Sequence, residues 1–390
     1  MAQKIAKAKG TIGIMGAGIG GLALAAMLTQ RGFKVRLFEQ AHAFSRLGAG
    51  LQMAPNPCAV LRGIGLEPEL RQVAFAPHSL LNRDHDTGHV TNEVICDEAF
   101  ATRYGVPYLV MHRADLHRLL GSKVPPEIIE FGRKLEAVDQ DANGVHLTFA
   151  DGTSADVDWL VACDGVHSVI RKKLLGDEEP RFSGRIAYRA VFPAALLGDD
   201  QINLSRTKYW GPDRHIVIYY VTAARDEVYF VTSQPEDPEW LTRESWSTKG
   251  DMAQLREDFA GFHPDVRRVL AACPDAFKWA LMEREPFSHW TDGRITLLGD
   301  ACHPMPPYMA QGAAMALEDA AILTRCLEGV EDDGVPAAFL RYEANRKPRA
   351  TMIQQRSRTN TWLQHQTNVD WVYGYDAWHA PLDQERQAAE

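Results

Sequence analysis

Three glycines with fixed spacing are the first residues that could do chemistry. Gly16, Gly18 and Gly21 form a GxGxxG pattern directly after the apolar run Thr11–Met15 and before an Ala/Leu-rich stretch. In such a turn the glycines allow a tight bend, close approach of the backbone to a pyrophosphate and close helix packing. Glu39 follows about twenty residues later, where an acid can hydrogen-bond an adenosine ribose. The pattern predicts a dinucleotide site, and on these residues alone NAD and FAD both fit.

A second set of residues could move a proton and bind an anion. His215 and Tyr219 belong to the run HIVIYY, and a strand would present both on one face because side chains alternate. An imidazole has an ordinary pKa of about 6.5 and accepts protons at neutral pH, so His215 is a candidate base. A satisfied structural histidine is the alternative. Arg206 can form a bidentate pair with a carboxylate, although a solvent-facing arginine is an equally good interpretation.

Periodicity and turn signals predict the elements that position these residues. The strand Thr11–Met15, a helix ending near Arg31 and the strand Lys34–Glu39 form a βαβ opening. Asp151-Gly152 predicts a hairpin between strands at 145–149 and 154–162. Alternating runs from 186 to 231 predict a separate sheet, a strand is expected at 294–298, and helices are expected near 252–259, 264–273, 312–328 and 337–357.

Composition excludes several classes of protein. The chain has 390 residues, 45% of them apolar, and can bury a core large enough for two joined domains. A net charge of −9 and the lack of a dense Lys/Arg run argue against nucleic acid as a partner. Glycines interrupt the apolar segment near the start, so we expect neither a signal peptide nor a membrane span, and we expect the chain in the cytoplasm. The six cysteines have no metal-ligand spacing, so we expect reduced thiols and no metal site.

Three motifs, in order along the whole chain, resemble those of the class A flavoprotein aromatic hydroxylases. They are the glycine turn, Asp164-Gly165 with Arg171 downstream, and Gly299-Asp300 followed by His303-Pro304. The resemblance implies an α/β fold, in which a Rossmann-like FAD-binding domain is interleaved with a β-sheet substrate domain, as in p-hydroxybenzoate hydroxylase, with helices at the C-terminus. It implies tightly bound, non-covalent FAD, with NADH or NADPH and O2 as co-substrates. Asp164 is expected to serve FAD and the nicotinamide nucleotide, and Asp300 the ribityl chain.

We expect two intimately joined domains and a tail. The FAD-binding domain is predicted over residues 10–75, 105–180 and 285–360, the substrate sheet over 76–104 and 181–284, and a C-terminal aromatic tail over 361–390. The tail is expected to pack as core, with a substrate lid or a dimer contact as the alternatives. The enzyme is expected to be a monomer or a homodimer.

Longer matches imply further cofactor residues. The stretches FEQAHAFSRLGAG and MHRADLH resemble those of family members that act on hydroxypyridine carboxylates, and they imply Arg46 and Arg113 as flavin contacts. Gly312 and Ala313 stand at a predicted helix start after a proline-rich loop. Their N–H groups and the helix dipole are expected to stabilise negative charge on the pyrimidine edge of the reduced flavin.

The same resemblance predicts a substrate pocket with three departures. DRHIVIYY implies that His215 and Tyr219 face the substrate ring, with His215 as base and Tyr219 orienting the ring oxygen or relaying the proton. Gln52, Arg206 and Tyr308 stand where the resembling members are expected to have His, Cys and His. We therefore expect these three side chains to bind substrate and to shape its choice.

The expected reaction is hydroxylation of a hydroxylated aromatic or heteroaromatic carboxylate. The resemblance implies 6-hydroxynicotinate, converted to 2,5-dihydroxypyridine with loss of CO2 in nicotinate degradation, and it favours NADH over NADPH. The altered pocket leaves salicylate, 3-hydroxybenzoate and 5-hydroxypicolinate as alternatives. Two other classes stay open at this point, namely a flavin oxidase or reductase that inserts no oxygen and a non-catalytic flavin-binding protein.

Overall fold

The computed structural model describes residues 7–46, 49–176, 178, 180–237 and 249–383. Its strands are Thr11–Met15 (β1), Lys34–Glu39 (β2), Gly50–Met53 (β3), Ser79–Asp84 (β4), Val90–Ile95 (β5), Leu109–His112 (β6), Ile129–Phe131 (β7), Leu135–Gln140 (β8), Val145–Phe149 (β9), Ser154–Val157 (β10), Trp159–Ala162 (β11), Arg181–Pro193 (β12), Arg206–Trp210 (β13), His215–Tyr220 (β14), Glu227–Pro235 (β15), Phe277–Glu283 (β16), Thr291–Asp292 (β17) and Ile295–Leu297 (β18). Its α-helices are Ile19–Gln30 (α1), Pro55–Gly63 (α2), Glu67–Val73 (α3), Glu98–Tyr104 (α4), Arg113–Gly121 (α5), Val169–Leu175 (α6), Met252–Asp258 (α7), Pro264–Ala272 (α8), Gly312–Leu327 (α9), Val335–Arg358 (α10) and Asp370–Tyr373 (α11).

A six-stranded sheet forms the first layer of the fold. Its order is β17-β18-β11-β1-β2-β7, and β1 pairs in parallel with both β2 and β11. Helix α1 connects β1 to β2 and is buried over most of its length because its side chains are almost all apolar, and it packs against α9 and α5. The predicted βαβ opening and the α/β fold class are therefore confirmed.

A seven-stranded sheet forms the second layer. Its order is β16-β12-β15-β14-β13-β4-β5, so its strands come from residues 79–95 and 181–283. The long strand β12 pairs antiparallel with β15 on one side and β16 on the other. The domain boundaries given above stay a prediction.

One predicted strand is two strands. Residues 154–162 divide at Asp158, because its carboxylate accepts the Thr11 N–H at 2.6 Å and the chain changes direction there. β10 pairs antiparallel with β9 in a three-stranded sheet, whereas β11 continues into the six-stranded sheet beside β1. The last strand before Asp164 is therefore short and fully buried.

The C-terminal segment packs against both layers. Tyr373 is buried, with its ring centroid 6.0 Å from that of Tyr108. Ala377 belongs to the apolar core around the six-stranded sheet. Trp378 donates its indole N–H to the carbonyl of Val60 in α2. No helix among the described residues is long and apolar enough to cross a membrane.

Candidate active site

The three glycines of the first turn differ in what surrounds them. A Cβ added at Gly16 would lie 2.5 Å from the Cys163 carbonyl oxygen, and Gly16 has a φ of +97°. A Cβ at Gly21 would lie 1.9 Å from the Gly16 oxygen. At Gly18, by contrast, a Cβ would meet no protein atom within 4 Å. Protein packing therefore explains two of the glycines, and the third leaves bare backbone in an open cradle, which fits a dinucleotide pyrophosphate.

Glu39 lies directly beside this cradle. One carboxylate oxygen accepts the N–H of Ala17 at 2.8 Å, and the other accepts the N–H of Ala41 at the same distance. The N-terminus of α1 receives no side-chain cap from the described residues, so its first amides remain available to an anion. The position of Glu39 at the end of β2 agrees with the prediction of a ribose contact, which stays a prediction.

Asp164 holds the second motif in place and keeps one oxygen free. Its Oδ2 accepts the N–H of Val169 at 3.0 Å, at the start of α6. Its Oδ1 is buried and has no hydrogen-bond partner among the described residues. Burial raises the pKa of this carboxyl group, and the hydrogen bond with Ser168 lowers it. A buried acceptor without a partner is costly, so this oxygen fits a cofactor hydroxyl or amide.

Asp300 and the start of α9 form the opposite side of the cofactor cleft. The side chain of Asp300 is reached by solvent, yet protein surrounds it on most sides, and this desolvation raises its pKa. A Cβ added at Gly312 would lie 3.9 Å from Asp300 Oδ1, which places the carboxylate beside the first turn of α9. Neither Gln311 nor another described side chain caps that turn. The N–H groups of Gly312 and Ala313 can therefore donate hydrogen bonds to a negatively charged group. Arg113 is near enough for Asp300 to raise its pKa, against a larger lowering by burial.

A buried ionic network fixes the loop that carries Asp300. Asp319 of α9 accepts the Gly299 N–H at 3.1 Å, a ring N–H of His303 at 2.5 Å and the Nε–H of Arg346 at 2.7 Å. Asp319 and Arg346 are fully buried. His303, which follows Gly299-Asp300 in the third motif, is thus buried and packs the loop in place. Asp319 and Arg346 were not predicted, because only the folded helices α9 and α10 bring them to this loop.

Arg46 is engaged elsewhere on the surface of the site. Both of its terminal nitrogens donate to the carboxylate of Glu227, at 2.9 and 2.7 Å, and its side chain is 56% exposed. The hydrogen bonds that Arg46 donates to Glu227 raise the pKa of Arg46. A flavin contact by Arg46 would share or replace this pair, so the predicted role stays a prediction.

Three of the residues predicted to face the substrate lie on one face of the seven-stranded sheet. On β13 the side chains of Arg206, Lys208 and Trp210 share this face, and the antiparallel neighbour β14 presents His215 and Tyr219. Arg206 is buried, which excludes the solvent-facing interpretation, and it lies at the start of β13, within the range predicted to form the separate sheet.

Arg206, Gln52 and Tyr219 meet at one end of this face. The Nε–H of Arg206 and the hydroxyl of Tyr108 both donate to Gln52 Oε1, at 3.0 and 2.9 Å. Tyr219 also hydrogen-bonds Gln52, and burial raises its pKa well above 10, so it remains a protonated phenol. Arg206 Nη1 is buried without a hydrogen-bond partner, and the described residues give the guanidinium no ion pair. This end of the pocket offers an uncompensated cation.

His215 and Tyr308 meet at the other end. The two rings are edge to face with centroids 5.8 Å apart, and His215 also lies 5.2 Å from Trp210. The Tyr308 hydroxyl hydrogen-bonds Ser233 at 3.1 Å. Burial lowers the pKa of His215 well below its ordinary value, and Lys208 and nearby arginines lower it further, so the ring is a neutral acceptor. The structure thus divides the predicted pocket residues between two ends, with His215 and Tyr219 at opposite ones.

Comparison with known proteins gives one consistent result. The model of a family described as FAD binding domain matches residues 9–357. The chain is 44% identical to 6-hydroxynicotinate 3-monooxygenase of Bordetella bronchiseptica over 98% of its own length and 99% of that protein. It is 42% identical to the enzyme of that name from Pseudomonas fluorescens, over 95% of this chain and 96% of that one. Among solved structures, Klebsiella pneumoniae HpxO complexed with FAD and uric acid superposes with a TM-score of 0.81 at 26% identity, covering 95% of this chain and 92% of that one.

Proposed function

The chain belongs to the FAD-binding-domain family of flavin-dependent aromatic hydroxylases, and from that premise we propose that its substrate is 6-hydroxynicotinate, converted to 2,5-dihydroxypyridine with loss of CO2. The enzyme is an FAD-dependent monooxygenase with NAD(P)H and O2 as co-substrates. The observation that carries the substrate proposal is the buried Arg206, whose Nη1 has no hydrogen-bond partner among the described residues. A ring carboxylate would supply the missing charge as a bidentate partner.

The residues of the cofactor cleft fit FAD. When bound, FAD takes electrons from NAD(P)H and delivers one electrophilic oxygen atom from O2. Gly18 and the α1 amides would hold the pyrophosphate, and Glu39 the adenosine ribose. Asp300 would hold the ribityl chain, and the first amides of α9 would stabilise negative charge on the pyrimidine edge. The free oxygen of Asp164 would serve FAD and the nicotinamide nucleotide.

The residues of the pocket would prepare the substrate ring. Arg206 orients the carboxylate, and a ring nitrogen of His215 accepts the proton of the ring hydroxyl. Loss of this proton increases the electron density of the ring, which an electrophilic oxygen atom requires. In this assignment Tyr308 packs beside the ring oxygen, and Tyr219 and Gln52 orient the carboxylate end. Tyr219 is thereby moved from the ring oxygen, where the sequence analysis placed it, to the end that holds Arg206.

Three finer properties belong to the same proposal. We expect NADH rather than NADPH, because the resemblance favours it. We expect a monomer or a homodimer. We place the enzyme in the cytoplasm, where NADH is regenerated and where its six free thiols stay reduced.

A substrate panel tests the proposal. Purified holoenzyme is given NADH and 6-hydroxynicotinate, salicylate, 3-hydroxybenzoate, 4-hydroxybenzoate or 5-hydroxypicolinate, and NADH and O2 consumption are followed while products are identified by mass. We expect coupled turnover with one mole of CO2 per mole of 6-hydroxynicotinate and incorporation of label from 18O2. Coupled turnover of another ring would reassign the substrate through Gln52, Arg206 and Tyr308, and product without 18O would indicate an oxidase or reductase.

A further inference from the structure

Lys208 is a buried lysine to which the described residues give no counter-charge. It lies in the middle of β13 and is 1% exposed, although lysine is seldom fully buried unless it is paired. Its Nζ lies 3.4 Å from the centroid of the Trp210 ring, a cation–π contact. The Nζ group makes no hydrogen bond and no ion pair with the described residues. The ammonium group therefore has unused donors on the substrate face of the sheet.

The charged groups around Lys208 increase this imbalance. Burial is the largest cause that lowers its pKa, followed by the charges of Arg206 on the same strand and Arg185 on β12. His215 faces it from β14 as a neutral ring whose pKa Lys208 itself lowers. Arg206 and Arg185 are both cations, and the described residues give Lys208 no carboxylate partner. Because an unpaired charge is expensive to remove from water, these surroundings favour the neutral amine, and an anionic ligand is the partner that would restore the ammonium charge.

Lys208 and Arg206 serve different ends of the pocket. The Cα atoms of alternate strand residues are about 6.6 Å apart, so the two side chains start on the same face one step from each other. Arg206 then extends to Gln52, whereas Lys208 extends over Trp210, which pairs with His215. The two cationic groups therefore diverge toward opposite ends. A ligand that reaches both needs negative groups on opposite sides of one ring.

The 3-carboxylate and the 6-oxygen of 6-hydroxynicotinate stand opposite each other, in the para relation. Resting on the proposed function, we propose that Lys208 binds the ring oxygen as an anion, and that Lys208 and Arg206 together select rings whose oxygen is para to the carboxylate. The O–H bond of the ring hydroxyl breaks, its proton goes to His215, and Lys208 stabilises the oxyanion that remains. An oxyanion donates electron density to the para carbon, which is the carbon that bears the carboxylate. The pair of cations thus couples substrate choice to the site of oxygen transfer.

Ligand binding to the oxidised holoenzyme, measured by calorimetry without NADH, tests this role separately from turnover. The ligands are two matched pairs that differ only in the para oxygen, 6-hydroxynicotinate with nicotinate and 4-hydroxybenzoate with benzoate. We expect Lys208→Met to weaken binding of the hydroxylated member of each pair at least about tenfold, and to leave the other member within about twofold. Lys208→Arg, which keeps the charge, should restore part of the difference. Lys278→Met is the matched control, because Lys278 lies on the same sheet and already pairs with Glu236.

The outcomes separate the two proposals. Equal weakening of both members of a pair in Lys208→Met and in Lys208→Gln would make Lys208 a structural residue and overturn the inference, as would unchanged binding of both. Normal FAD content and a melting temperature no lower than that of the wild-type enzyme are required of each variant, and Lys208→Gln is used where Lys208→Met fails this test. If wild-type enzyme does not bind 6-hydroxynicotinate, the proposed substrate fails, and the benzoate pair still decides whether Lys208 reads the para oxygen.

Discussion

At the scale of single residues, the chemistry of the site depends on charges that the protein leaves unbalanced. Arg206 and Lys208 are both buried, and neither has a carboxylate partner among the described residues. His215, on the neighbouring strand at the end of the pocket that holds Lys208, is kept neutral by the same surroundings. A pocket of this kind favours an anionic ring and offers a proton acceptor that is uncharged until it takes the proton.

The His215 assignment predicts an unusual pH dependence. Burial and nearby cations, Lys208 first among them, lower the pKa of His215. The ordinary pKa of histidine is about 6.5. The imidazole of His215 therefore stays unprotonated, and able to accept a proton, at pH values well below about 6.5. We expect kcat/KM for 6-hydroxynicotinate to show no acid limb near pH 6.5, and the limb due to His215 to appear only at lower pH. His215→Ala should reduce the hydroxylation rate by about two orders of magnitude with normal FAD content. Full activity in this variant would remove His215 from the mechanism.

The Arg206 assignment predicts a loss that depends on the substrate. Arg206→Gln removes a charged, planar donor pair, and charge-assisted hydrogen bonds contribute about 1.5–3 kcal/mol. We therefore expect KM for 6-hydroxynicotinate to rise roughly 10- to 150-fold, while binding of 2-hydroxypyridine, which lacks the carboxylate, changes little. Comparable losses for both ligands would indicate a misfolded pocket. The surface variant Arg71→Gln serves as a control for a general effect of removing an arginine, because Arg71 is 53% exposed and pairs with Glu67 within α3.

At the scale of elements, the cofactor side was predictable because its signals are local. The glycine turn, the strand before it and the acid after it lie within one βαβ unit, and the structure places all of them as predicted. The start of α9 after the proline-rich loop was predicted for the same reason. Asp319 and Arg346 were missed, because their meeting with Gly299 depends on helix packing across distant parts of the chain.

The substrate side was less predictable because the sequence of β13 is unlike that of an ordinary buried strand. Its run RTKYW places Arg206 and Lys208 where a core strand would carry apolar side chains, so the sheet predicted over 186–231 gave no sign that both charged side chains are buried. The residues that the structure describes supply no countercharge to either side chain, and burial of a lysine without a partner has no sequence signal. Gln52 joins Arg206 only through the placement of β3, which pairs with β6 rather than with its neighbours in sequence.

In the glycine turn, alanine at position 18 and alanine at position 21 should affect different properties, namely FAD binding and the stability of the apoprotein. Gly18→Ala places a methyl group where no protein atom lies within 4 Å, and its φ of −72° suits alanine, so the apoprotein should keep its melting temperature. The methyl group would intrude on the pyrophosphate, and we expect the Kd for FAD to rise by about tenfold or more. Gly21→Ala would instead meet the Gly16 oxygen at 1.9 Å and should lower the melting temperature of the apoprotein itself. A stable Gly18→Ala apoprotein with unchanged FAD affinity would contradict the cradle assignment.

At the scale of the whole molecule, the C-terminal segment ties the two sheets together. Arg349 of α10 donates to the carbonyls of Trp371 and Val372 while it pairs with Glu318, the buried neighbour of Asp319. Tyr373 packs on Tyr108, whose hydroxyl donates to Gln52. The segment therefore links the network behind the Asp300 loop to the end of the pocket that holds Arg206.

This link predicts that the segment is needed for folding and for the shape of the pocket. Tyr373→Ala removes a large buried ring from a cluster of aromatic side chains and should cost about 3–5 kcal/mol of unfolding free energy. Because the cavity would open behind Tyr108, we also expect a higher KM for 6-hydroxynicotinate, measured at a temperature where the variant remains folded. His379→Ala, at a side chain that is 83% exposed, should change stability by no more than about 0.5 kcal/mol and leave KM unaltered. A Tyr373→Ala enzyme that is destabilised but keeps its KM would limit the segment to a structural role. The contacts from Tyr373 through Tyr108 to Gln52 would then have no effect on substrate binding.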